Sequence, residues 1–505
     1  MNNASNELVI AGWMLVAVYC AVTLFFVIRG ALKIKNINDY AVGSITFSPI
    51  AVGLALAAAM TSAATFIINP GFIAFYGISG VLSYAFVMPI AAMTSLVILT
   101  KGFRKHGSSV KALTMAQWIG TRYKSKGYAL FFAFLSLLLI TFIVLICVGL
   151  TKVLSKTLNV SELSVLIGLV VFIFGYMMFG GANSMVYTNT VQAIIMIVVA
   201  FILLGSGYEH FSNGVSGFLD KLKNIDPKLV TIPNESSFLF RDYFEIIFSQ
   251  IVIGVAIVCQ PHIITKSLLL KTDKDVNKYL TAGIITQMLF FLVVIAGLYA
   301  RIEFPDLTVN SVALKLDGVI PAYVVREFPV YFGLIVVLGL ISAGISTLEG
   351  LIQSVSTTIT SDIIKPIFGK FFPSDESKNT STTILVNRIV IIAIGIISIF
   401  ISYDQLINPN LSVGIFAQNG VYGYFSAAFV PILFGMFLKD ATKASVISAS
   451  VAAIVVHFSF FYGNIKVPFS IATGQNPGVA GAVAISVSII VGGLVYFFTR
   501  KKANA

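Results

Sequence analysis

Residues 57–71 read Ala57-Ala-Ala-Met-Thr-Ser-Ala-Ala-Thr-Phe-Ile-Ile-Asn-Pro-Gly71. They lie in an apolar run from about 46 to 76. One membrane crossing takes about 20 residues, so this run is too long for a simple span. Small residues predominate, and Asn69-Pro70-Gly71 predicts a break in the helix. In lipid, freed backbone survives only where it lines a polar cavity; there its carbonyls face a cation and its amides an anionic group. Ser62 and Thr65 are three residues apart and share one helical face. Close packing of helices through small residues is the competing reading of the same stretch.

The rest of the chain fits a lipid solvent. Of its 505 residues, 57% are hydrophobic and only 11% are charged; the mean hydropathy is +0.95. Soluble domains carry about 25% charged residues, so this chain has too few to cover a water-facing surface. The formal net charge of +12 does not indicate nucleic acid, because the basic residues fall in short tracts between apolar runs. Cys20, Cys147 and Cys259 all lie inside apolar runs, with spacing that suits neither a metal site nor a disulfide framework.

Thirteen apolar runs are candidate spans, near 8–29, 46–76, 78–100, 128–151, 162–180, 185–207, 242–262, 279–302, 328–362, 385–402, 412–437, 443–462 and 478–499. The first ends in Arg29, Lys33 and Lys35 and reads as a retained helix rather than a cleavable signal. With the N-terminus outside and the C-terminus inside, 23 of the 33 basic residues fall on the inner side, Lys266 among them. The longest polar stretch, about 208–239, reads as an outer loop with a short helix. The expected product is an all-α, multi-pass protein of the inner or plasma membrane, with a lipid bilayer as its surroundings.

Ionisable groups inside lipid are costly and mark function. Glu349 is the acidic residue deep inside an apolar span. Its helix reads Gly339-Leu-Ile-Ser-Ala-Gly-Ile-Ser-Thr-Leu-Glu-Gly350. Steps of four and three put Ser342, Ser346 and Glu349 on one face. Hydroxyls and a carboxylate are hard oxygen ligands suited to sodium, although hydroxyls also bond their own backbone. Other polar interruptions are Gly180-Gly181 before Val186-Tyr-Thr-Asn-Thr-Val-Gln192, Gln260-Pro261-His262 at the expected end of the seventh span, and Gln418-Asn419-Gly420, expected to interrupt the eleventh. His262 is expected at a helix end in the interface; His106, His210 and His457 have no assignable partners. There is no phosphate-binding loop, nucleophile elbow or zinc motif. The expectation is a transporter driven by an ion gradient, or less favourably a passive channel, rather than an enzyme.

At these residues the sequence resembles the sodium:solute symporter family. Tyr176 through Gln192 is similar to that family's double-glycine signature with its following aromatic-Thr-Asp-x-x-Gln run. Gln260-Pro-His-Ile-Ile264 with Lys266 resembles a pattern of the proline branch, with related forms in the pantothenate and acetate branches. Ser346-Thr347-Leu348 matches a Ser-Thr-Leu run on the long ninth helix. The resemblance extends over essentially the whole chain.

It implies a LeuT-like core of two inverted five-helix repeats with broken first helices. The repeats would cover 46–210 and 240–440, with 1–45 and 441–505 peripheral. It also implies a sodium site at Ala58 and Thr61 on the second span and Ala343, Ser346 and Thr347 on the ninth. By the same analogy Ser62 and Thr65 are candidates for substrate, with Tyr84, Gln250 and Gln418 behind them. Many members carry Asp where this chain has Asn189, and hydroxyls where it has Glu349 and Gly350. A second sodium site in its usual form is therefore not expected. Glu349 could replace the missing carboxylate and hold a proton, a second cation or a substrate amine. Met60 stands where the proline branch has Asp. The implied function is sodium-coupled symport of a monocarboxylate, pantothenate-like compound or amino acid by alternating access. A sugar or sialic acid is the alternative solute. Sodium and a small solute are the expected ligands, nucleic acid is not an expected partner, and a monomer is the expected working unit.

Overall fold

Hydropathy sets the element lengths, and the helices follow it. The computed structural model describes residues 6–43, 47–110, 112–270, 272, 274–408 and 412–503. Ten helices there are long and apolar enough to cross a membrane. They are Val9–Ala31, Ile78–Arg104, Lys126–Leu158, Gly181–Phe211, Lys274–Glu303, Val330–Ile367, Glu376–Ile407, Val413–Phe437, Lys443–Gly463 and Pro477–Arg500. Two bent pairs, Pro49–Met60 with Ala64–Tyr76 and Phe244–Ile257 with Pro261–Leu269, each turn by 57°. With the shorter apolar helix Glu162–Met177, these correspond one for one to the thirteen sequence runs. The long polar stretch holds a helix at Gly214–Ile225.

The second span does break, but not at its Pro. Thr61 leaves the helix with φ −105° and ψ 105°, and the Ser62 Oγ accepts the Ala64 N–H at 3.1 Å. The side chain thus replaces a lost backbone partner at the start of the next segment. Pro70 sits inside Ala64–Tyr76, just past the point where the π-helical turn Ala64–Ile68 passes into the α-helix Asn69–Tyr76. The Asn-Pro-Gly triplet is instead a site of close approach. A Cβ on Gly71 would lie 2.1 Å from the Leu316 carbonyl oxygen, and one on Gly297 would lie 2.0 Å from the Pro70 carbonyl oxygen.

Two further expectations are corrected. Gln260-Pro261-His262 does not end the seventh span; it is that span's break. Gln260 is extended (φ −67°, ψ 134°) and Pro261 opens the second half, the position in a helix where Pro fits best. His262 is accordingly buried beneath Gly350, not at an interface. The eleventh span runs unbroken through Gln418-Asn419-Gly420. Gly420 serves contact there, since a Cβ would meet the Thr141 Oγ1 at 2.3 Å. Pro431 lies within the same helix, and its missing N–H is made good when Ser450 Oγ donates to the Ala427 carbonyl at 2.8 Å. His457 also has a partner: its Nε2 lies 2.8 Å from the Asn419 carbonyl oxygen.

Candidate functional site

The ninth span is buried through most of its length and crosses the break of the second. At the crossing, Ser346 Oγ lies 2.8 Å from the Ala58 carbonyl oxygen and 3.1 Å from that of Ala343. Thr347 Oγ1 lies 3.1 Å from the carbonyl oxygens of both Ala59 and Thr61, and 3.5 Å from those of Ala58 and Ala343. Two hydroxyls with one proton each face four carbonyls. Ala58 also accepts the Thr61 N–H at 3.2 Å and Ala343 lies within the ninth helix's own ladder, while Ala59 and Thr61 share the one Thr347 proton. All of these groups are essentially sealed from solvent. The surplus of lone pairs makes the cluster electron-rich without any formal charge, and the end of a helix contributes its orphan carbonyls in the same place. The residues Ala58, Thr61, Ala343, Ser346 and Thr347 are thus together. Their oxygens are of the kind that replaces the hydration shell of an alkali cation.

Thr61 Oγ1 donates to Gln287 Oε1 at 3.0 Å, while Gln287 Nε2 is buried without a partner. Gln287 is absent from the sequence reading. A polar amide in the eighth apolar run was the available signal.

One turn along the ninth span, Glu349 is fully buried. Tyr176 Oη donates to its Oε1 at 2.5 Å, and Thr188 Oγ1 donates to its Oε2 at 2.8 Å. Neighbours fix the orientation of the Asn189 amide. Its nitrogen donates to Glu349 Oε2 at 2.8 Å and to Gln192 Oε1 at 3.0 Å, and its oxygen accepts from Lys266 Nζ at 3.2 Å. Lys266 Nζ also donates to the Ala55 carbonyl at 3.0 Å. Gln192 Nε2 then reaches the Tyr19 hydroxyl at 2.8 Å. Asn189 and Glu349 are therefore in contact. Lys266, counted from sequence among the charges between spans, is a buried core residue on the second half of the broken seventh span. The roles of Tyr176, Thr188 and Lys266 were not foreseen, although all three lie in or beside the quoted motifs.

The substrate candidates fall into two groups. Ser62 and Thr65 are buried at the break itself. Tyr84 on the third span is buried edge-on against Phe240 and beside Gln418 of the eleventh span. Gln250 is buried with its Oε1 unpartnered. It stands eight residues before the Val258–Gln260 break, about 12 Å along the helix.

Two broken spans and buried polar clusters where the second span meets the ninth define a secondary transporter built on an inverted repeat. Residues 40–452 match the sodium:solute symporter family, and the chain belongs to that family. Membership makes it a multi-pass membrane transporter that couples solute movement to sodium. It is 26% identical to a sodium/pantothenate symporter of Escherichia coli (strain K12), over 83% of this chain and 84% of that one. It is 21% identical to a sodium/proline symporter of Staphylococcus aureus, over 90% and 87%. A monocarboxylic acid transporter of Corynebacterium glutamicum is 22% identical, over 76% and 71%. Among solved structures, a sodium-coupled sialic acid symporter in a substrate-bound outward-open state aligns with a TM-score of 0.77 at 17% identity. That alignment covers 96% of this chain and 97% of the other. The fold is therefore shared with the LeuT-like transporters.

Proposed function

We propose that the protein binds one sodium ion between the carbonyls of Ala58, Thr61 and Ala343 and the hydroxyls of Ser346 and Thr347, and uses it to carry a small monocarboxylate solute inward. The observation that carries this reading is the proton deficit at the crossing, where the carbonyls of Ala59 and Thr61 share the single proton of Thr347 and Ser346 divides its own between Ala58 and Ala343. A cation supplies what the missing protons cannot. Pantothenate, proline and the monocarboxylic acids named for the relatives share a single carboxylate. Ser62 and Thr65, at the start of the second half of the broken span, are positioned to meet such a group with hydroxyls and helix-terminal amides. Tyr84, Gln418 and Gln250 would contact the remainder of the solute.

In this reading the two repeats cover 46–210 and 240–440, the N-terminus lies outside, and the C-terminus is cytoplasmic in the plasma membrane. Sodium joins the second span to the ninth and favours the outward-open state. Solute binding then completes closure, and both leave on the inner side.

The test is uptake into proteoliposomes of a labelled panel: pantothenate, proline, acetate, pyruvate, a hexose and sialic acid, with and without a sodium gradient. We expect at least one monocarboxylate to accumulate only with the gradient. Equal uptake of every accepted solute without sodium would overturn the coupling.

A further inference from the structure

We propose that the Lys266 ammonium is a resident cation standing where a second sodium ion would bind, so that the protein binds a single sodium ion. This rests on the sodium reading of the Ala58–Ser346 crossing.

The geometry repeats itself along two helices. On the second span Ala55 lies three residues before Ala58. On the ninth, Glu349 lies three residues after Ser346. Each step is close to one turn, about 5 Å. The two spans thus offer two successive crossings, Ala58 with Ser346 and Ala55 with the Glu349 network. The first is filled only by neutral oxygens. The second presents two neutral oxygens, the Ala55 carbonyl and the Asn189 amide oxygen, with the Glu349 carboxylate behind them on the other side of the Asn189 amide.

The nearby carboxylate makes this crossing the more attractive of the two to a cation, yet one is already there. Lys266 Nζ sits 3.0 Å from the Ala55 carbonyl oxygen and 3.2 Å from the Asn189 amide oxygen. Asn189 bridges the ammonium to Glu349 through its nitrogen, 2.8 Å from Oε2. An ammonium offers three donors and no acceptor, so it addresses carbonyl and amide oxygens much as a dehydrated metal cation does. It differs in being tethered: sodium leaves with each cycle, whereas Lys266 stays on the second half of the seventh span. The charge at the second crossing is then independent of the sodium gradient.

A purely structural pair is a poor alternative account. Buried ion pairs are often no more stable than apolar residues of similar volume, and a lipid-embedded one has still less water to fall back on. Five spans converge on this one: the second through Ala55, the fifth through Tyr176, the sixth through Asn189, the seventh through Lys266 and the ninth through Glu349.

The experiment is equilibrium binding of radioactive sodium to the purified full-length chain in detergent, without solute, counted per protein. Wild type should bind one ion. Lys266→Met should bind two, because Glu349 then needs a cation. The charge-neutral Lys266→Met/Glu349→Gln variant should return to one. Two ions on wild type, or one on a folded Lys266→Met, would overturn the inference. Should Lys266→Met not fold, Lys266→Gln carries the same expectation of two ions, and the wild-type count still decides. No sodium on wild type, or one ion that survives Ser346→Ala/Thr347→Val, would instead remove the underlying sodium-site reading, and this inference with it.

Discussion

At the Ala58–Ser346 crossing every polar group is neutral and carbonyls outnumber the hydroxyl protons. One turn away, at Ala55 and Glu349, opposite charges are held apart by a single amide, and each acceptor named there has a donor. Both clusters are buried and both draw on the second and ninth spans, so depth does not separate them. Satisfaction does. A neutral cluster short of protons is incomplete without an added cation and can release it cheaply. A charged cluster already completed by a lysine has no need of one. The contrast predicts that the first region responds to sodium and the second to loss of its own side chains.

The largest effect should come from breaking the charged cluster. Glu349→Ala leaves the Lys266 ammonium buried without its counter-charge, and removal of one member of a buried pair costs about 3–5 kcal/mol. Lys266→Met/Glu349→Gln removes both charges and should cost much less. Thermal unfolding in detergent reads the difference. Equal losses in the single and double variants would erase the distinction between the two regions.

At the neutral cluster the same measurement should give the opposite pattern. Ser346→Ala deletes one hydroxyl that bonds carbonyls in the absence of an ion, so the sodium-free protein should lose only about 1 kcal/mol. An interaction with a charged partner is worth about 1.5–3 kcal/mol, which corresponds to a roughly 10- to 150-fold weaker sodium affinity. Titrating sodium against the melting temperature checks both numbers, since a ligand stabilises only as far as it is bound. A variant with unchanged sodium response would show that the Ser346 hydroxyl is there for packing.

How far these two regions were legible from the sequence follows the same division. Hydropathy alone located all thirteen spans, because lipid imposes a length on every crossing. The neutral cluster was legible through the Ser346-Thr347-Leu348 run and the small residues from Ala57 to Ala64, which lie near the features that build it. Its helix break was misplaced by eight residues because Pro70 is the louder local signal. What frees the backbone is Thr61 turning extended, and Ser62 capping the next segment. The charged cluster was half legible. Glu349 stood out as a carboxylate in an apolar helix, but its lysine was assigned to a loop. The Gln260-Pro261 break, not the hydropathy, carries Lys266 back into the core. Asn189 read as a lost ligand; in three dimensions it is the bridge between two charges, with a partner at each end that no one-dimensional spacing reveals.

The smallest effect concerns Gln287, which touches the neutral cluster only through Thr61. Its Oε1 accepts from Thr61 Oγ1 at 3.0 Å, while its Nε2 is buried without a partner. Gln287→Leu removes one hydrogen bond, worth about 1 kcal/mol net, and also removes an orphan donor whose burial costs about 1–3 kcal/mol. Stability should therefore hold or rise slightly. The Thr61 backbone loses its tether, however, and with it some of the fixed orientation of the Thr61 carbonyl. Sodium affinity should fall by about fivefold, the equivalent of that one hydrogen bond. Melting temperature and sodium titration on the same sample separate the two effects. A fall in stability with no change in sodium affinity would place Gln287 in the packing of the eighth span rather than beside the ion. The neutral cluster would then end at the two helices that form it.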